Sequence, residues 1–114
     1  MIERSGIALL LALLPTSLVA ADARVDRGRR LLAQYQCGTC HRIPGVEHAA
    51  GTLGPNLAAF RGRSYIAGAV PNTRPLLLRW LVDPKSLVPD TTMPAMGVTV
   101  ADAQAIAAYL ATLE

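Results

Sequence analysis

Apolar positions in this chain recur with helical period in three stretches, and nowhere with the alternation of a strand. The first stretch runs from about Asp26 to Cys37, with Leu31, Leu32 and Tyr35 three to four residues apart. The second is "TRPLLLRWLVDP". Thr73 is placed to cap it, Pro75 is tolerated in a first turn, and Pro84 stops it. Leu77, Leu78, Trp80 and Leu81 give it an apolar stripe. The third opens at "TVAD", where Thr99 and Asp102 have the spacing of a capping box. Ala103, Ile106, Ala107 and Leu110 then follow at i, i+3, i+4 and i+7. Two long loops lie between these stretches, "RIPGVEHAAGTLGPNL" and "PKSLVPDTTMPAMG". The pattern predicts one all-α domain of three main helices. Loops of that length are uncommon in a small domain unless they serve a site.

A fourth apolar run, Ile7 to Leu14, stands apart from this pattern. Arg4 precedes it, Pro15 and Ser17 break it, and Ala20, Ala21 and Ala23 close it. Charge, apolar core and small-residue exit are the order of a secretory signal peptide. The run is shorter than the ~20 residues of a membrane-spanning helix. Residues 1–21 are therefore expected to direct export and be removed, leaving 22–114 as the working domain in the periplasm or otherwise outside the cytoplasm. Retained, the segment would tether the domain, and only then would it touch a membrane.

Composition adds two constraints. The formal net charge is +3, from 11 basic and 8 acidic residues, and no aromatic platform accompanies it. That excludes a nucleic-acid footprint. Aromatic residues make up 4 % of the chain, so large planar groups for a core are scarce. Something other than side chains is expected to fill the space between the loops.

Both cysteines lie in "CGTCH", residues 37–41. Three chemistries compete for them. A thiol–disulfide redox pair expects a preceding strand within a β-α-β unit, where this chain has a helical pattern. Structural zinc needs four ligands. Cys37, Cys40 and His41 supply three and His48 would have to be the fourth, with His41 awkwardly adjacent to Cys40. Covalent heme accounts for the spacing directly. In a helical turn residues i, i+3 and i+4 share a face, so two thiols and an imidazole approach one side of a porphyrin and its iron.

With these residues in view, the chain resembles the class I c-type cytochromes, small all-α monoheme electron carriers. Gly28 and Leu32 are similar to that family's first-helix positions, "CGTCH" to its attachment motif, and "GPNL" to the loop whose proline carbonyl orients the proximal histidine. "TTMPAMG" resembles the loop carrying the axial methionine, and "AIAAYL" the last helix. The stretch from Gly54 to Gly97 also resembles the cytochrome c domain fused to the second subunit of some heme–copper oxidases, although the copper domain of that subunit is absent from this sequence.

The resemblance implies one heme c held through Cys37 and Cys40, with His41 and Met93 on the iron and Pro55 accepting from His41. Met96, nearer the last helix, is expected to pack in the core, and His48 to be a solvated loop residue. Trp80, Arg63, Tyr65 and Asn72 are candidate donors to the heme propionates, which need partners if buried. Leu57, Phe60, Leu78 and Leu81 are candidate walls, while Arg61, Arg74 and Arg79 read as solvated. The implied function is one-electron transfer between redox protein partners in an exported respiratory or oxidative chain, not enzyme catalysis. The alternatives are a heme-bearing subunit through which electrons enter a larger oxidoreductase complex, and a heme sensor or enzyme with a labile distal ligand.

Overall fold

A computed structural model describes Gly6, Ala8 and residues 15–114; most of the apolar run Ile7–Leu14 lies outside the described residues. Three helices carry the fold: α1 (Thr16–Gln34), α2 (Arg74–Val82) and α3 (Val100–Leu110). The architecture is all-α, with long loops, as the apolar pattern predicts.

Helix α1 begins about ten residues earlier than its apolar stripe predicts and ends three residues sooner. Its early part, Thr16 to Arg24, holds three alanines, the residue with the highest helix propensity. Leu18 and Val19 there are more than half exposed, so this part packs on nothing. The early stop has a backbone cause. Gln36 is left-handed, with φ 58°, and turns the chain before Cys37.

The working half of α1 packs on α3. Gly28 lies at the crossing, and a Cβ there would collide with the Ala105 carbonyl. Leu32 and Ile106 are fully buried beside it. The absent side chain thus lets two helix backbones approach closely. A polar tie reinforces the crossing: the Asp102 carboxylate accepts from Tyr35 Oη at 2.5 Å and pairs with Arg27. Asp102 is the residue expected to complete the capping box. Thr99 Oγ1 does accept from the Asp102 amide at 3.1 Å, while the Asp102 carboxylate is spent across the helix interface. Tyr109 anchors the other end, its hydroxyl donating to the Pro44 carbonyl at 2.6 Å.

Helix α2 packs on α3 through buried Leu77 and Trp80, with Leu78 and Leu81 half-buried. Thr73 is extended at its start but makes no side-chain cap, a departure from expectation. Its amide is taken by the Pro71 carbonyl, and its own carbonyl accepts from Leu77, so the backbone closes the first turn. Pro84 is buried and starts a short 3₁₀ turn, Pro84–Ser86, which ends α2 as expected.

The chain also contains a small antiparallel hairpin where no strand was expected: β1 (Tyr65–Ile66) and β2 (Val70–Pro71). Two-residue strands are too short to show a period of two. The turn supplies the cause. Ala67 and Gly68 both have positive φ, 52° and 73°, and the Ala69 amide donates to the Ile66 carbonyl. That is the pattern of a type I′ turn.

Candidate functional site

The Cys37–His41 segment leaves α1 through the left-handed Gln36 and closes one tight turn. The amides of Cys40 and His41 both donate to the Cys37 carbonyl, at 3.2 and 3.0 Å. The i, i+4 bond puts Cys37 and His41 on one face of a helical turn, with Cys40 between them. Both cysteines are free thiols and half-buried. Burial pushes the Cys37 thiol above its ordinary range, which keeps it protonated at neutral pH.

Glycines let the following loop fold back on this turn. The Gly51 amide donates to the Gly38 carbonyl at 3.0 Å, and the Gly54 amide to the Cys40 carbonyl at 2.7 Å. A Cβ on Gly38 would stand 2.6 Å from Ala49 Cα, so the turn and the loop touch backbone to backbone.

The loop then meets the imidazole. His41 Nδ1 lies 2.7 Å from the Pro55 carbonyl oxygen. A carbonyl only accepts, so Nδ1 carries a proton. Nε2 makes no hydrogen bond among the described residues, and its lone pair is left for a metal. Pro55 itself is held by its neighbours. The Leu57 amide donates to the Arg42 carbonyl at 2.8 Å, and Arg63 donates to the Asn56 carbonyl.

That last contact shows how Arg63 is used. Its guanidinium staples the loop through the carbonyls of Asn56 and Ala58, and it lies over the Phe60 ring at 5.9 Å. Asn72 Nδ2 in turn donates to the Arg63 carbonyl at 3.0 Å. Arg63 and Asn72 therefore support the imidazole's loop, a role that spacing along the chain does not reveal. Tyr65 is 58 % exposed on the hairpin, and Trp80 is buried in the core.

The two methionines of the "TTMPAMG" loop sit differently. Met93 is half-buried against the core, its amide donating to Thr91 Oγ1 at 3.2 Å. Met96 is 44 % exposed, so the expectation that it packs as core is overturned. It lies in an exposed run, residues 94–97, between half-buried Met93 and buried Val98. His48 is exposed, as expected of a solvated loop residue, with φ 62°. Among the described residues no three His, Cys, Asp or Glu side chains converge on a point that would hold a bare metal ion. Of the walls, Phe60 is buried and Leu57, Leu78 and Leu81 are half-buried. Arg61 is exposed and pairs with Glu114 at 2.8 Å, and Arg79 bonds Ser86. Two shallow surface grooves lie elsewhere. One runs between α2 and the start of α3, the other between Phe60 and Ala107, and neither includes Cys37, Cys40, His41 or Met93.

The profile of the Cytochrome c family matches residues 25–114. The chain belongs to the cytochrome c family. It is also 31 % identical over 85 residues to "Cytochrome c oxidase subunit 2" of Bacillus subtilis. That alignment covers 73 % of this chain and 24 % of the relative, so the chain spans about a quarter of the relative's length. No solved structure matches. Membership of the cytochrome c family implies heme-based electron transfer with heme c as the cofactor.

The residues of this cytochrome c domain fit that cofactor on the structure's own terms. Two unpaired thiols precede, in the same turn, an imidazole whose Nδ1 is taken and whose Nε2 is free. One thioether, Met93, lies half-buried in the later loop. A soft sulfur and an imidazole are the donor pair that suits a low-spin heme iron. No helix among the described residues is long and apolar enough to cross a membrane.

Proposed function

We propose that residues 22–114 work, after export and removal of residues 1–21, as a one-electron carrier with a single heme c bound through Cys37 and Cys40. His41 is the proximal ligand and Met93 the distal one. The observation that carries this reading is the His41 Nδ1–Pro55 carbonyl bond of 2.7 Å, beside two free thiols in the same turn. It commits the imidazole to one tautomer and one free nitrogen before any metal is present.

When bound, heme c supplies an iron that cycles between two oxidation states one electron apart. The protein's own groups do the rest. Cys37 and Cys40 would hold the heme covalently through their sulfurs. Pro55 fixes the His41 ring and raises its basicity. Met93 supplies a thioether, which favours the ferrous state relative to a second imidazole. Held by both His41 and Met93, the iron would have no place left for substrate, which supports a carrier rather than an enzyme.

The partners in this reading are redox proteins that hand electrons in and take them out. The likeness to an oxidase second subunit supports a second reading, in which the domain is the heme-bearing part of a larger oxidoreductase complex. The mass of the native assembly on gentle extraction separates the two. For the shared core of both readings the test is covalent retention. The wild-type protein, made in cells able to mature c-type hemes, should keep one heme per chain through acid–acetone extraction and denaturing electrophoresis. The Cys37→Ala, Cys40→Ala double variant should keep none. A heme-free wild type carrying a Cys37–Cys40 disulfide would refute it. N-terminal sequencing near Ala21 tests export, and an intact Met1 would make the protein a tethered carrier.

A further inference from the structure

The geometry points to Gly54 as a positioning residue that sets the rotation of the His41 ring. This inference rests on His41 being the proximal ligand. A Cβ built on Gly54 would stand 2.5 Å from His41 Cε1, 2.8 Å from Nδ1 and 3.0 Å from Nε2. Both nitrogens are nearly as close as Cε1. An approach in the plane of the ring would hold them well behind it, so the added carbon would sit over the ring's face. Gly54 is not among the glycines with positive φ, which are Gly45, Gly68 and Gly97 among the described residues. Residue 54 is therefore glycine for space and not for backbone conformation.

Two restraints then act on the imidazole at right angles. The Gly54 backbone lies against its face, and the Pro55 carbonyl holds Nδ1 at 2.7 Å in its plane. Rotation toward residue 54 runs into backbone, and rotation away breaks the Nδ1 hydrogen bond. The backbone that blocks the ring is itself fixed, because the Gly54 amide donates to the Cys40 carbonyl at 2.7 Å, one residue before His41. Ring and stop are thus tied to the same turn and move together. Since the hydrogen bond on Nδ1 raises the basicity of the ligating Nε2, the space at Gly54 controls the electron donation that His41 gives the metal.

The test uses the holoprotein and compares Gly54→Ala with Gly28→Ala. The control is also a backbone clash, its Cβ lying 2.6 Å from the Ala105 carbonyl carbon at the α1–α3 crossing, outside the site. NMR reads the solvent exchange of the His41 Nδ1 proton, and a redox titration reads the potential. In the wild type the Nδ1 proton should exchange more slowly than in a free imidazole. In Gly54→Ala the exchange should quicken by roughly tenfold, the scale of losing one hydrogen bond, and the potential should rise as the ring becomes less basic. Gly28→Ala should lower thermal stability and leave both readouts in place. Unchanged exchange and potential in Gly54→Ala, or equal changes in both variants, would overturn the inference. If Gly54→Ala does not fold, the wild type decides: a Nδ1 proton exchanging as fast as in a free imidazole would overturn it alone. A wild type without covalent heme would instead remove the site reading, and this inference with it.

Discussion

The two loops that flank the site are built to different standards of rigidity. From Gly38 to Arg63 the chain is laced to itself: Gly51 to Gly38, Gly54 to Cys40, Leu57 to Arg42, Arg63 to Asn56 and His41 to Pro55. From Thr92 to Val98 the described hydrogen bonds reduce to one, the Met93 amide to Thr91 Oγ1. Burial of Val98 and half-burial of Met93 are what hold that stretch. Regions with few backbone hydrogen bonds and little buried apolar surface open at lower free energy than the rest of a fold. The histidine side is preorganised and the methionine side yields first. In the proposed carrier this asymmetry would make Met93 the first of the two ligands to yield when the fold is perturbed, while His41 keeps its place.

Replacing the distal sulfur should give the largest effect on the iron. Met93→Ala is expected to remove the methionine–iron absorption band, lower the potential and admit carbon monoxide or cyanide. Optical spectra with and without those ligands check this. Retention of the band would show that the flexible loop is not the source of the ligand, and the comparison of the two sides would fail.

The frame beneath both loops is the α1–α3 crossing, and it offers a control. Gly28→Ala forces a methyl group against the Ala105 carbonyl. Overpacking of that kind costs roughly 1–3 kcal/mol. Thermal unfolding should show that loss with the low-spin spectrum intact below the transition. A variant that lost its methionine band as well would mean that the distal loop depends on the crossing more than its sparse contacts suggest.

A pH series sharpens the same point from the polar side of the crossing. The Tyr35 hydroxyl, together with Arg27, holds the Asp102 carboxyl below its ordinary value near 3.8. A lowered carboxylate pKa gives stability that is present above the unfolded value and is lost as pH falls through the folded one. The same bond, with burial and the charge of Asp102, raises Tyr35 above its ordinary value near 10. That contribution is present below the unfolded value and is lost as pH rises through the folded one. Asp102→Asn should therefore flatten the stability profile at both ends, in the acid range below about pH 4 and in the alkaline range above about pH 10. Unfolding midpoints measured across that range provide the check. An unchanged profile would mean that the tie carries no weight.

The smallest effect belongs to Met96. Exposed as it is, Met96→Ala should cost less than ~0.5 kcal/mol and leave the band unaltered, which separates it from Met93 three residues earlier.

Much of this was legible in the chain. Helix α3 follows its i, i+3, i+4, i+7 pattern because the whole apolar stripe is buried, and "CGTCH" with "GPNL" specified the turn and the carbonyl that meet at His41. Other features resist reading because their causes lie in space. The start of α1 reflects propensity where no packing marks an edge. The Ala67–Gly68 hairpin is too short to have a period. Arg63 faces the Asn56 carbonyl only once the loop has folded back, and Met96 lies in an exposed run, residues 94–97, that no period marks.

The account's central claim is a closed, six-coordinate heme site that passes single electrons, and a spectroelectrochemical titration of the purified wild-type protein tests it most directly. The account predicts a covalently bound, low-spin heme with the methionine–iron band in the oxidised form and a reversible one-electron Nernst curve. A high-spin spectrum that shifts on adding carbon monoxide or cyanide to the wild type would contradict it, and would make the distal position of this cytochrome c a binding site.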